Sequence, residues 1–190
     1  MSGRYLVLSD VHRREWVAEA ARDLARGCEA ATRWLPPALQ HGANAPQSLK
    51  AILAVDVFGQ PADYDSLRRT ATEHGLVLIE DACEAIGAEY KGRRAGTLGD
   101  VAVFAFYPNK QMTTGEGGVV VTDRKEWDTL FRSLRNQGRD ESGTWLNHVR
   151  LGYNYRLDEM SAALGLSQLA RIEELLQKRE RVARMYGEHL

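Results

Sequence analysis

Between Lys50 and Asp81 the chain spells out one supersecondary unit, and that unit limits the possible folds more than any other stretch. Ala51 to Phe58 (AILAVDVF) is a near-continuous apolar run, the pattern of a strand covered on both faces. Gly59-Gln60-Pro61 reads as a turn. Asp63 can cap a helix running to about His74, with Tyr64, Leu67 and Ala71 on its inner face and Gly75 just past its end. Leu76 to Ile79 (LVLI) is the next buried strand, and it terminates in Glu80-Asp81. Strand, helix and strand at this spacing make a βαβ unit with a right-handed crossover. In open α/β sheets the ligand crevice lies beyond the carboxyl ends of the strands. Asp81 therefore stands where a ligand would be, with a plain capping role as the even alternative.

A second stretch carries chemistry of another kind. In Val101 to Val121 (VAVFAFYPNKQMTTGEGGVVV) an apolar strand breaks at Pro108 and presents Lys110. The chain then turns through Gly115-Glu116-Gly117-Gly118 and enters a second apolar strand, Gly118 to Thr122. Lysine is among the residues least often buried, and burial drives an ammonium toward the neutral, nucleophilic amine that a Schiff base needs. Taken alone, this stretch fits a solvated loop lysine better. The glycines let backbone approach a ligand closely, but they also simply make turns.

Composition removes several function classes. The net charge of −1 gives no basic field of the kind that grips nucleic acid. No apolar run approaches the length of a membrane span, and Tyr5-Leu6-Val7-Leu8 is too short for the core of a signal peptide. The two cysteines, Cys28 and Cys83, form no disulfide framework, so reduced thiols in a cytoplasmic protein are expected. Arg4 to Ser9 reads as a short strand and Glu15 to Leu35 as an Ala-rich helix ended by Pro36-Pro37, with a polar linker after it. Asp10-Val11-His12 has the Asp-x-His spacing of metal-dependent phosphoesterases, but no further ligand set completes it, and coincidence is favoured. No metal site is expected. Downstream, Glu89 to Gly99 reads as a hairpin or loop. Lys125 to Gln137 is an amphipathic helix with Trp127, Leu130, Phe131 and Leu134 inward. Gly138 to Arg150 is a long polar loop, and Leu157 to Leu190 one long helical stretch with Asp158-Glu159 in its first turn.

Five stretches, VDVFGQPADYDSL, VLIEDACEAIGAEYKGRRAGTLGD, VFAFYPNKQMTTGEGGVVVTD, LRNQG and LGYNYRLDEMSAALGLSQL, resemble in order and spacing the DegT-type family of pyridoxal-phosphate-dependent sugar aminotransferases. The likeness runs from about Lys50 to Leu190, and FAFYPNKQMTTGEGG with EDACEAIGA is most similar to the perosamine-synthase branch. It implies an α/β fold, a three-layer sandwich with a mostly parallel sheet, part of the type I aminotransferase fold. It also implies a partial large domain over residues 47–190 behind a divergent segment, 1–46. Family members are about twice as long, and the Ser-Gly-Thr phosphate turn is not recognisable in 1–46, so the chain reads as the central part of such an enzyme. Ala105 stands where many members have a phosphate-binding serine.

By the same resemblance Lys110 carries pyridoxal 5'-phosphate and shuttles a proton, and Asp81 pairs with the ring nitrogen. Cys83 lies against one ring face, with a packing cysteine as the compatible alternative. Glu84 touches the ring's 3'-oxygen unless it is a surface glutamate, and Asn154 reaches the cofactor phosphate of a neighbouring subunit. The implied reaction moves an amino group from glutamate to a nucleotide-linked 4-keto-6-deoxysugar in a homodimer with shared sites. Arg94, Arg135, His148, Tyr153 and Arg156 are candidates for the nucleotide diphosphate or sugar, unranked. The second hypothesis is a non-catalytic module that dimerises or binds a partner.

Overall fold

The computed structural model describes residues 4–8, 49–140 and 147–189, and they fall into two compact units, Met1–Ala102 and Val103–Leu190. The helix expected over residues 15–35, its linker and the Asp10-x-His12 motif lie outside the described residues.

In the first unit β1 (Arg4–Leu8) and β2 (Leu49–Val55) pair in parallel, and β3 (Val77–Asp81) pairs in parallel with the other edge of β2. Helix α1 (Tyr64–Glu73) makes the crossover from β2 to β3. Its inner residues Tyr64, Leu67 and Ala71 are buried with Ile52 and Ala54 of β2, Leu78 of β3 and Leu98. This is the expected βαβ unit, held by apolar residues at helical spacing on one side and on consecutive strand positions on the other. Past the helix, Gly75 takes φ +60, and the Leu76 N–H reaches back to the Ala71 carbonyl at 2.8 Å. A glycine in that left-handed position is the usual helix stop.

Two expectations need correction here. Strand β2 ends at Val55, not Phe58. Asp56 turns inward, its carboxylate accepting from the Ala62 N–H at 3.1 Å and the Tyr64 hydroxyl at 3.0 Å. The following residues form a 3-10 turn, Val57–Gly59, that puts Phe58 at φ +55 with its side chain 91% exposed. Asp63 does occupy the N-cap position of α1, but its carboxylate makes no backbone cap bond. It accepts instead from the hydroxyls of Ser66 at 2.9 Å and Tyr90 at 2.6 Å.

The expected hairpin is present as β4 (Glu89–Tyr90) and β5 (Arg93–Arg94), antiparallel around Lys91-Gly92. Both turn residues have positive φ, 51° and 77°, as a tight hairpin of the primed type requires. Strand β6 (Val101–Ala105) begins in the first unit and ends in the second.

In the second unit β7 (Gly118–Val121) lies beside β6, and the Phe106 N–H meets the Gly117 carbonyl at 2.8 Å. Helix α2 (Lys125–Arg135) half-buries Trp127, Phe131 and Leu134, while Leu130 is exposed and Ser133 is the buried residue. Ser133 is drawn in by polar partners: its carbonyl accepts the Gly138 N–H at 2.8 Å and its hydroxyl the Arg150 guanidinium. The expected single helix over 157–190 is two helices, α3 (Glu159–Leu169) and α4 (Ile172–His189). At the break the Arg171 N–H bonds the Gln168 carbonyl at 3.0 Å, a tightened turn that separates the two helices without glycine or proline. Asp158 is the N-cap of α3, outside its first turn, and accepts from the Ser161 N–H at 2.9 Å and hydroxyl at 2.7 Å. Among the described residues no helix is long and apolar enough to cross a membrane.

Candidate active site

Strand alternation decides what the two acids at the end of β3 do. Successive residues face opposite sides, and Glu80 is fully buried while Asp81 is only half-buried. Glu80 accepts from the N–H groups of Gly96, of Leu98 at 2.8 Å and of Gly99 at 3.0 Å. It is a structural carboxylate that gathers the turn before β6. Asp81 has one oxygen, Oδ1, fixed by the Cys83 N–H at 3.1 Å, and its backbone carbonyl accepts the Asp56 N–H at 3.0 Å. The strand end and the turn beyond it thus orient this carboxylate from both sides.

The other residues expected near Asp81 follow it directly. Cys83 is a half-buried thiol two positions on. The Glu84 carboxylate is also half-buried, and its Oε2 accepts the Phe58 N–H at 2.9 Å. Glu84 therefore steadies the strained turn after β2, a task its sequence position did not suggest. Deeper in, burial pushes the Asp56 carboxyl up to about 6, and burial followed by the Asp56 charge pushes the Tyr64 phenol upward as well.

Lys110 lies in the second unit, in the segment between β6 and β7, and is half-buried. Its N–H bonds the Tyr107 carbonyl at 3.0 Å, and the Thr114 N–H bonds the Phe106 carbonyl at 2.9 Å, which folds the segment back on itself. Gly117, at φ +138, completes the fold: a Cβ there would stand 2.8 Å from both the Thr114 hydroxyl and Leu157. The glycine turn is thus required by packing inside the segment.

Asn154 is exposed and forms an isolated antiparallel bridge with Asn136. Arg156 orders both side chains, donating to Asn154 Oδ1 at 3.0 Å and Asn136 Oδ1 at 2.9 Å. The neighbouring Tyr153 and Tyr155 stack on each other, 5.0 Å apart and 10° from parallel, and Leu151 is 84% exposed. His148 bridges to Arg139 across the described ends of the polar loop, its ring Nδ1 2.9 Å from the Gln137 carbonyl.

Asp81, Cys83 and Glu84 are thus brought together in the first unit, and Lys110 and Asn154 belong to the second. Sequence reasoning missed two residues around Lys110. The Gln168 side-chain amide donates to the Thr113 carbonyl while its oxygen accepts the Thr113 N–H at 3.1 Å, and Arg179 donates to the Lys110 carbonyl at 3.1 Å. A glutamine inside the apolar helix sequence AALGLSQLA was the one available signal.

Each unit carries groups whose chemistry fits an aldehyde-bearing pyridine: the second has the primary amine of Lys110, and the first has the Asp81 carboxylate, fixed at a strand end, with the small side chain of Cys83 beside it in sequence. Among the described residues no group of histidines, cysteines and acids is placed to hold a metal.

The profile of the DegT/DnrJ/EryC1/StrS aminotransferase family matches residues 31–190. GDP-perosamine synthase from Caulobacter vibrioides is 44% identical over 141 residues, 74% of this chain and 38% of that protein. The chain thus spans well under half the length of the curated relatives it matches. Among solved structures, the Helicobacter pylori aminotransferase PseC, involved in the biosynthesis of pseudoaminic acid, superposes with a TM-score of 0.72 at 32% identity, over 84% of this chain and 41% of that one. A DegT DnrJ EryC1 StrS aminotransferase from Brucella abortus gives 0.75 at 31% identity, over 98% of this chain and 52% of that one. The α/β architecture with its parallel strands is that of the type I aminotransferase fold. On the extent of the family match and these likenesses, the chain belongs to the DegT/DnrJ/EryC1/StrS aminotransferase family.

Proposed function

We propose that residues 47–190 are the central portion of a pyridoxal-phosphate-dependent enzyme that moves an amino group from glutamate to a nucleotide-linked 4-keto-6-deoxysugar. The observation that carries this reading is the 44% identity to a GDP-perosamine synthase over a segment containing Lys110 and Asp81. The bound cofactor supplies an aldehyde to an amine and a protonated ring that takes up electrons when a substrate C–H proton leaves. The Lys110 amine would hold that aldehyde and then move the proton at Nζ as base and acid. Asp81 would keep the ring nitrogen protonated through its second oxygen, since Oδ1 is already engaged by the Cys83 N–H. Cys83 would lie against one ring face and Glu84 near the 3'-oxygen. Asn154, held by Arg156, would reach the cofactor phosphate of a second copy, which makes the working unit a homodimer.

The test is the absorption spectrum of the chain with pyridoxal 5'-phosphate, before and after glutamate, with borohydride trapping and peptide mapping. The expected result is a new visible band, a reduced adduct on Lys110, bleaching by glutamate, and loss of all three in Lys110→Ala. A saturating cofactor concentration that gives no band and no trapped lysine would overturn catalysis by this chain and leave the non-catalytic module.

A further inference from the structure

The segment that presents Lys110 is folded by its own turn hydrogen bonds, and further ties reach it from far along the chain. Residues 106–117 contain no regular element, and the Lys110 carbonyl accepts from a side chain outside the segment. The Arg179 guanidinium of α4 donates to the Lys110 carbonyl at 3.1 Å and grazes the Gln111 carbonyl at 3.5 Å, across 69 and 68 residues of sequence. Three residues on, Gln168 of α3 grips Thr113 on both sides, taking its N–H at 3.1 Å and donating to its carbonyl.

The surroundings of Arg179 make this more than a chance contact. Its neighbours on α4 are spent on the helix's own acids: Lys178 pairs with Glu174, and Arg184 with Glu180, each one turn away. Arg179 has Leu175, Leu176, Val182 and Ala183 at those spacings, so the helix offers it no acid there. Its donors go to main-chain carbonyls on the lysine segment instead. Gln168 likewise spends both ends of its amide on one residue, an arrangement that fixes position and direction together.

We infer that Arg179 and Gln168 are positioning residues for Lys110, holding the backbone from which its amine is presented. This rests on the role proposed for Lys110. A lysine reaches its target through a flexible four-carbon stem. Where its amine arrives, and how often, depends on how firmly the main chain at its root is held. A displacement on the order of 1 Å at a reacting group is enough to lower a rate about a hundredfold. Two side chains from separate helices gripping positions 110 and 113 add to the hold of the segment's own turn hydrogen bonds.

Two measurements on the 190-residue chain test the assignment, with Arg179→Met, which keeps the stem and removes the donors, and Gln168→Glu, which keeps the shape and loses the N–H donor. The first is amide hydrogen exchange without cofactor. Exchange over residues 110–114 is expected to rise about tenfold in either variant, the loss of roughly one good hydrogen bond, while β2 and β3 keep their rates. The second is the rate of borohydride-trapped adduct formation on Lys110 with pyridoxal 5'-phosphate, with its pH midpoint. The rate is expected to fall about tenfold or more in Arg179→Met, the midpoint to move, and Arg179→Lys to restore part of both. Unchanged exchange at 110–114, or exchange that rises equally in β2 and β3, overturns the inference. So does wild-type trapping in both variants. Failure of the wild-type chain to trap cofactor on Lys110 overturns the proposed function instead, and the exchange measurement then decides the positioning role by itself.

Discussion

A carboxyl in a dry pocket ionises only at a cost, and Asp56 sits in one with the charge of Glu80 near it. Both are fully buried. Glu80 is satisfied by backbone N–H groups, and Asp56 by Ala62 and Tyr64 at one oxygen, while Asp56 Oδ2 meets no donor among the described residues. Burial first, and Glu80 after it, raise the Asp56 carboxyl to about 6, above its ordinary 3.8. The folded chain therefore binds a proton that the unfolded chain releases sooner. The contribution to stability is complete below the unfolded value and is lost as pH rises through the folded one. Urea unfolding between pH 4 and pH 7 should show stability declining over that window in the wild type, with a flatter profile in Asp56→Asn, whose amide replaces the proton. A wild-type profile that rises across the window would contradict the assignment. Glu80→Gln keeps the shape but turns an N–H toward the N–H groups of residues 96–99, and should cost about 2–3 kcal/mol, read by the same unfolding curves. Nothing local in IEDACEA separates these acids by role. Asp81 was singled out by its place at a strand end, while the structural duty of Glu80 depends on a turn sixteen to nineteen residues away.

At the scale of elements, periodicity carried most of the information and ends carried least. The run at 51–58 reads as strand throughout because a near-continuous apolar run does not report where a buried aspartate bends the chain. The resulting turn leaves Phe58 at positive φ with its ring in solvent. A β-carbon in that region costs roughly 1–2 kcal/mol, and the exposed ring returns nothing from burial. Phe58→Gly should therefore raise the thermal midpoint, by the equivalent of about 1 kcal/mol after glycine's own entropy is counted. A fall would mean that the ring has a partner. For α3 and α4 a continuous helical pattern concealed a break made by one tightened turn. The Asp158 cap is visible in sequence as an acid before an apolar run. The hydrogen bonds of the Ser161 N–H and hydroxyl hold its carboxyl below the usual range, so Asp158→Ala should loosen α3 most above that range and little in acid, as seen by amide exchange over 159–169.

For the whole molecule, the roles proposed for Lys110 and Asn154 make a statement about symmetry. If each site draws its lysine from one copy and its asparagine from the other, Lys110→Ala and Asn154→Ala fail separately but complement each other. Random reassortment of the two variants should restore roughly a quarter of the sites, since half the dimers are mixed and each mixed dimer carries one intact site. Recovery of cofactor trapping on mixing measures this, and none would sink the shared-site arrangement. The family and the order of elements were legible because five stretches keep their spacing. The clamp on the lysine segment was not, because Gln168 and Arg179 meet it across sequence separations of 55 and 69. The neighbouring acids of β3 have an evolutionary corollary. One gathers main-chain amides on the inner face and the other is offered outward, so a one-residue slip of the strand would exchange their duties. The strand should thus accept many replacements of side chains but hardly any insertion or deletion, and that asymmetry would appear in a scan of length variants sooner than in any point-substitution library.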